Sequence, residues 1–258
     1  MTALSADGTV LAYDRFGDGP PIVMLGGAFN DRSATEPLAR ALAEDFTVLN
    51  PDRRGRGDSG DTAPYSVDRE IEDLDALIAA AGGAASLFGY SSGGNLSLMA
   101  AASGLKITNL VLYEPPFTVN DNRPPLPGDV AEQVTALVAA DRRGDAVEYY
   151  QTKVIGMPEE LVVQLRDAPF RPGLEAIAHT LAYEAAIIGD LSLPTDLLAS
   201  LETPTLVVCS EQTVPFLRTA AEAVAAALPN GRLRTLSGEG HAINPDATAP
   251  AIVDFLSP

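Results

Sequence analysis

A chain of 258 residues, 46% of them hydrophobic, is long enough to bury a substantial core as one large domain or as a domain carrying an insertion. Its 35 acidic residues against 17 basic ones give a net charge of -18, which repels phosphate backbones and anionic lipid surfaces and so argues against nucleic acid or a membrane as partner. Met1 to Asp7 form neither a basic leader nor an apolar run, no stretch is apolar for long enough to span a bilayer, and the single cysteine, Cys209, has no partner for an internal disulfide; together these point to a soluble, cytoplasmic protein.

Short apolar runs bounded by turn residues occur in chain order at 22–25, 46–49, 85–88, 110–113, 205–209 and 232–236, and predict buried strands. Segments of helical period accompany them at about 34–44, 67–81, 94–103, 216–228 and 247–255. Alternation of this kind predicts an α/β fold, a mostly parallel central sheet with helices on both faces, in which ligands bind beyond the carboxyl ends of the strands. Residues 118–200 break the rhythm with helical patterns and prolines but no strand, and read as an inserted helical cap. Prolines 115, 116, 124, 125 and 127 mark the exit from the core, which is then 1–117 together with 201–258. The basic run from Asp52 to Asp58 is glycine-punctuated and flanked by acids, and reads as a structured loop.

The segment Leu87-Phe88-Gly89-Tyr90-Ser91-Ser92-Gly93-Gly94 lies between an expected strand and an expected helix and matches G-x-S-x-G. A sharp strand-to-helix turn tolerates only small residues two before and two after its centre. That register selects Ser91, flanked by Gly89 and Gly93, over Ser92, whose neighbour would be Tyr90. The turn puts the Ser91 hydroxyl near a helix N-terminus, where unpaired N–H groups favour developing negative charge. A serine nucleophile needs a base, and only His179 and His241 are present. His241 follows the last expected strand in a glycine-containing loop. His179 falls on an expected cap helix, where a packed or solvated histidine is the plain reading. The two histidines lie in different expected domains, so no metal centre and no cofactor are expected.

Met24-Leu25-Gly26-Gly27-Ala28, the loop from Asp52 to Ser59, the serine turn and Gly238-Glu239-Gly240-His241 occur in the order found in the α/β-hydrolase fold superfamily, which the chain resembles over nearly its whole length. The resemblance implies an esterase-like serine hydrolase with Ser91 as nucleophile, His241 as general acid and base, and an oxyanion hole built from the backbone N–H groups of Ala28 and Ser92. Two positions depart from the family. Gly26 stands where a His-Gly pair is common, and Thr213 stands where an aspartate is expected after the penultimate strand. Some branches place the acid one strand earlier, and here that strand ends at Glu114, the favoured acid; Glu211 is the second choice, and Asp246 or a dyad without an acid also remain. For Glu114 the competing reading is an ion pair with Arg53 or Arg54.

Phe29, Asn30 and Tyr90 are the candidate substrate contacts, although Asn30, Asp31 and Arg32 equally suit capping of the helix that follows. Phe117, Val138, Tyr149, Tyr150, Phe170, Leu181 and Tyr183 could line an apolar pocket or form the cap's own core. Given the acidic surface, the expected substrate is a small neutral or apolar ester, lactone or thioester. C–C bond hydrolysis, acyl transfer or a lyase reaction by the same serine and histidine is the alternative, and a non-catalytic binding protein is the alternative of another class. Composition leaves the oligomeric state open.

Overall fold

The apolar runs are continuous because the sheet they build is covered on both faces. In the computed structural model, which describes residues 1–120 and 123–257, eight strands form one sheet: β1 (Thr2–Leu4), β2 (Val10–Phe16), β3 (Pro21–Leu25), β4 (Thr47–Pro51), β5 (Ala85–Tyr90), β6 (Ile107–Tyr113), β7 (Thr205–Gln212) and β8 (Gly231–Glu239). Their order is β1-β2-β4-β3-β5-β6-β7-β8, with β1 and β2 antiparallel to their neighbours and the rest parallel. Successive side chains of a strand point to opposite faces. Val23, Leu25, Leu87, Leu110, Leu112 and Val207 therefore belong to one apolar cluster, and Ile22, Met24, Phe88, Val111, Leu206 and Val208 to the other.

Helices close both faces. The first cluster is completed by α2 (Val67–Ala80) through Leu74, Leu77 and Ile78, by α3 (Ser92–Ala102) through Leu96, and by a later helix through Ala220, Ala221 and Val224. The second is completed by α1 (Glu36–Leu42) through Leu38 and Leu42 and by the C-terminal helix through Ala249 and Ile252. Fully burying one such leucine or isoleucine is worth about 1.5–3 kcal/mol, so the two layers supply most of the drive to fold. β1 and β2 lie outside the expected strand set.

Between β6 and β7 the chain forms α4 (Val130–Ala139), α5 (Arg143–Tyr149), a π-helical turn (Tyr150–Ile155), α6 (Glu159–Gln164), α7 (Arg171–Ala176), a 3-10 turn (Ala178–Thr180), α8 (Leu181–Ile188) and α9 (Thr195–Ser200). Val130, Val134, Val147, Tyr150, Val154, Leu181 and Ile188 make a third apolar cluster, separate from the two on the sheet. Leu198 of α9 and Ile187 of α8 instead join the sheet cluster that includes α2 and α3. The chain finishes with α10 (Pro215–Ala227), β8 and α11 (Pro245–Leu256), the last capped by the Asn244 side chain accepting from Asp246 N–H. Among the described residues no helix is long and apolar enough to cross a membrane.

Two layers of buried charge join these parts. Arg53 donates to Glu70 on α2 and to Glu184 on α8 at 2.7–2.8 Å, and Arg56 pairs with the same Glu184 oxygen. Burial alone would raise the Glu184 carboxyl, but the charges of Arg53 and Arg56 outweigh it and hold the group below its ordinary value. Burial and the like charge of Arg53 lower Arg56. Arg54, whose side chain is fully buried, pairs with Asp73 at 2.6 Å and Asp7 at 3.0 Å. Burial opposes ionisation of Asp7, yet hydrogen bonds from Thr9 and Arg54 bring its carboxyl down to about 2.

Candidate active site

The carboxyl ends of β3, β5, β6 and β8 deliver the chemistry-bearing residues to one edge of the sheet. Ser91 directly follows β5 and turns the chain into α3 with φ 55° and ψ -126°, a conformation that L-residues rarely adopt and that costs of order 1–3 kcal/mol. Its N–H donates to Tyr113 carbonyl at 2.9 Å, and its carbonyl accepts from Gly94 N–H at 2.8 Å. The flanking glycines are required by close approach. A Cβ on Gly89 would lie 2.6 Å from Gly93 carbonyl oxygen, and one on Gly93 would lie 2.6 Å from Leu25 carbonyl oxygen.

The loop after β3 passes directly over the serine, since a Cβ on Gly27 would lie 2.7 Å from Ser91 Cβ. Asn30 shapes this loop by accepting Gly27 N–H on its side-chain oxygen at 3.1 Å. Arg56 supports it from below, donating to the carbonyls of Gly27 at 2.6 Å and Asn30 at 3.0 Å, while Arg53 donates to Gly26 carbonyl at 3.2 Å. Ala28 N–H donates to the Ser92 hydroxyl at 3.0 Å. As the first residue of α3, Ser92 has a backbone N–H with no carbonyl one turn back inside the helix. The Ser92 hydroxyl thus rests on Ala28 N–H, and both residues line the same cavity.

Glu114 follows β6, the neighbour of β5, and its side chain is wholly shielded from solvent. One carboxylate oxygen accepts Ser210 N–H at 2.7 Å, and the other is hydrogen-bonded to His241 Nδ1. The competing ion pairs are absent, because Arg53 engages Glu70 and Glu184 and Arg54 engages Asp73 and Asp7. Glu211 is exposed at the end of β7, its carbonyl accepting from Arg218 at 2.6 Å. Thr213 buries a hydroxyl that has no hydrogen-bond partner among the described residues. Asp246 lies in the first turn of α11, its N–H held by the Asn244 cap.

Two tyrosines that sequence reasoning did not assign to this task hold the histidine loop. Tyr90 donates its hydroxyl to His241 carbonyl at 2.5 Å with its ring 4.9 Å from the imidazole, and Tyr113 donates to Ala242 carbonyl at 2.8 Å. Burial, with the Glu114 charge nearby, pushes the Tyr113 phenol up to about 12 and raises Tyr90 as well, so both stay protonated donors. The long sequence separation of these contacts left no local signal of them.

Ser91, His241, Ala28, Asn30, Tyr90 and Ser92 all line one cavity of about 400 Å³. The Ser91 hydroxyl has no protein hydrogen bond among the described residues. The remaining wall is mainly apolar, from Tyr150, Val154, Ile155 and Ile188 on the helical segment and Val214, Phe216 and Leu217 around α10, with one cation, Arg123. Phe29 is not on this wall; its ring packs edge-on against Tyr150 at 5.6 Å. Of the seven apolar residues weighed as pocket wall, only Tyr150 lines the cavity. Phe117 joins a sheet cluster, Val138, Tyr149 and Leu181 the third cluster, Tyr183 stacks on Tyr65, and Phe170 is exposed. Asp31 caps the 3-10 turn Arg32–Ala34, and Arg32 pairs with Asp14, Asp52 and Asp58. His179 sits outside the cavity, 3.5 Å from Asp61, and burial lowers its basicity.

Comparison with known proteins agrees with this architecture. A structure described as an alpha/beta hydrolase from Sphaerobacter thermophilus shares 52% identity, with a TM-score of 0.94 and 100% of both chains covered. A pimeloyl-[acyl-carrier protein] methyl ester esterase of Xanthomonas campestris pv. campestris is 28% identical over 95% of this chain and 98% of its own length. Polyketide synthase ThaQ of Burkholderia thailandensis is 28% identical over 94% of this chain, which spans only 12% of that much longer protein. The model of the alpha/beta hydrolase family matches residues 22–253, and the chain belongs to that family of enzymes.

Proposed function

We propose that the protein is a serine hydrolase that cleaves a carboxylic ester, lactone or thioester through an acyl-enzyme on Ser91. The observation that carries this reading is the buried Glu114 carboxylate held between Ser210 N–H and His241 Nδ1, in a cavity that His241 shares with Ser91. The Glu114 bond fixes the imidazole with Nδ1–H toward the carboxylate, leaving Nε2 as the acceptor for a proton. His241 then takes the Ser91 proton as the hydroxyl attacks the substrate carbonyl, and returns it to the leaving group. Hydrogen bonds of this kind are commonly loose before substrate binds and tighten in the complex, so the free Ser91 hydroxyl is compatible with the step.

The oxyanion forms against Ser92 N–H and Ala28 N–H. At Ala28 it displaces the Ser92 hydroxyl, exchanging a neutral acceptor for a charged one, which binds an N–H more strongly. Water, activated by His241, releases the acyl group. Residues 118–200 act as a cap whose Tyr150, Val154 and Ile155 close the cavity over an apolar acyl chain. The methyl ester esterase activity named for the Xanthomonas relative supports an ester as the reacting group.

The test is hydrolysis of a p-nitrophenyl ester chain-length series by wild type and Ser91→Ala, with mass spectrometry of the intact protein. Turnover by wild type alone, with the acyl group mapped to Ser91, is the expected result. Equal turnover by both, or no adduct on Ser91, overturns the mechanism.

A further inference from the structure

Arg123 is the cation in the wall of the cavity that Ser91 and His241 line. It belongs to the proline-rich stretch after β6, where its sequence context carries no periodicity or motif. Its guanidinium lies 5.0 Å over the Phe216 ring and donates one hydrogen bond, from Nη2 to Val154 carbonyl at 2.7 Å. A guanidinium has five N–H donors, so most of its capacity is unused by protein. No carboxylate among the described residues pairs with it. The buried arginines differ from this half-buried one: Arg53, Arg54, Arg56 and Arg171 each contact at least one carboxylate. In a chain with a net charge of -18, a positive charge left without a carboxylate inside an apolar cavity is a local reversal of the field.

We propose that Arg123 receives a carboxylate borne by the substrate, so that the preferred ester carries a free carboxyl group away from the carbonyl that reacts at Ser91. This deepens the ester-hydrolase reading and rests on it for the identity of the reacting end. The fork of a guanidinium matches the two oxygens of a carboxylate, and charge-assisted pairs of this kind are stronger in a low-dielectric wall than in water. Phe216 holds the guanidinium plane and the Val154 carbonyl fixes its rotation, so little freedom remains to be lost on binding. Tyr150 beside it is fully buried and strongly biased to its neutral form, and so does not cancel the charge. Desolvation of Arg123 lowers its basicity, a bias that a bound anion would relieve. The neutral substrate suggested by the overall acidity is thereby replaced, at this one wall, by an anionic one.

The experiment compares kcat/KM for pairs of p-nitrophenyl esters matched in length, one ending in a methyl group and one in a carboxylate, on wild type, Arg123→Lys and Arg123→Met. Wild type is expected to favour the carboxylate member at the best chain length. The ratio should fall by about 10- to 100-fold in Arg123→Met and by less in Arg123→Lys, which keeps the charge without the fork. Loss of both activities in equal proportion assigns Arg123 to holding the Val154 turn and overturns the proposal, as does a wild-type ratio that favours the methyl member at every length.

A second arm needs no turnover: protection of Ser91→Ala against thermal unfolding by glutarate or adipate, with inorganic phosphate as comparison. Arg123-dependent protection by the dicarboxylates, without acylation of Ser91 in the wild type, keeps the carboxylate site and discards the acyl-enzyme. Equal protection by phosphate overturns the assignment to carboxylates.

Discussion

Ser91 and Glu114 follow neighbouring strands and both hold a positive φ, 55° and 49°. Each is followed by residues that sharpen the change of direction, α3 after Ser91 and Pro115-Pro116 after Glu114. Strain stored at two adjacent strand ends must be over-determined by surrounding structure. Here the two ends are locked by Ser91 N–H on Tyr113 carbonyl and Glu114 N–H on Val208 carbonyl, both at 2.9 Å.

On the proposed mechanism, exchanging Glu114 for glutamine should lower kcat by about 10³- to 10⁴-fold, because the amide would neither favour the Nδ1–H tautomer of His241 nor stabilise its cation. Glu211→Gln, at an exposed side chain, should change kcat by no more than about twofold and stability by less than about 0.5 kcal/mol. Steady-state rates with far-ultraviolet circular dichroism as a folding control decide the matter. The reverse ranking would transfer the acid to the end of β7.

Gly27→Ala places a methyl group 2.7 Å from Ser91 Cβ and 2.9 Å from Tyr90 carbonyl oxygen, with backbone on one side and the serine on the other. Relief requires the loop carrying Ala28 N–H to move. We expect kcat/KM to fall by about 100-fold, since displacements of an ångström near reacting atoms cost that much. Stability should drop by about 1–3 kcal/mol as an overpacked position. A variant that retains wild-type kcat/KM while losing that stability would mean the loop does not orient an oxyanion donor.

Asp7 gives a pH signature. Its carboxyl titrates at about 2 in the folded protein against about 3.9 in an unfolded chain, so the folded state favours the ionised form. The stabilisation is complete above the unfolded value and is lost as pH falls through the folded one. The urea midpoint of Asp7→Asn should therefore lie below that of wild type near neutrality. The gap should stay constant down to about pH 5 and narrow between about pH 4 and 2. A gap independent of pH would show that the Arg54 and Thr9 contacts do not depend on the Asp7 charge.

Strands β3 to β7 were legible because a sheet covered on both faces forces unbroken apolar runs, whereas β8, expected as a buried strand at 232–236, lies at the sheet edge with no residue fully buried; the serine turn was legible because only glycine fits at Gly89 and Gly93. Glu114 could be singled out because it is the acidic residue that ends β6. β1 escaped notice as a three-residue edge strand with exposed positions, and β2 was passed over although Val10-Leu11-Ala12-Tyr13 is apolar and Leu11, Ala12 and Tyr13 are buried, because the polar Asp14-Arg15 pair follows at once. Cap aromatics such as Leu181's neighbour Tyr183 carry helical spacing whether they face a pocket, the cap's interior or, as here, another tyrosine on the core. Arg123, Tyr90 and Tyr113 act through partners 31 to 151 positions away or through a wall that exists only once the chain has folded, and nothing local encodes that. α9 was placed with the cap by sequence, yet its Leu198 packs with the sheet-side helices.

The ion pairs of Arg53 and Arg56 with Glu184 run from the β4 loop to α8 and are almost completely shielded from water. Lifting α8 would leave Arg56 and Glu184 without their ion-pair partners and Arg53 with Glu70 alone, at a cost of several kcal/mol for a buried ion left unpaired. That helix is thereby pinned to the loop after β4 by buried charge. Under the proposed acyl-enzyme mechanism, acyl groups would then be sorted by the fixed shape of the wall that Tyr150, Val154, Ile155 and Ile188 present to the cavity.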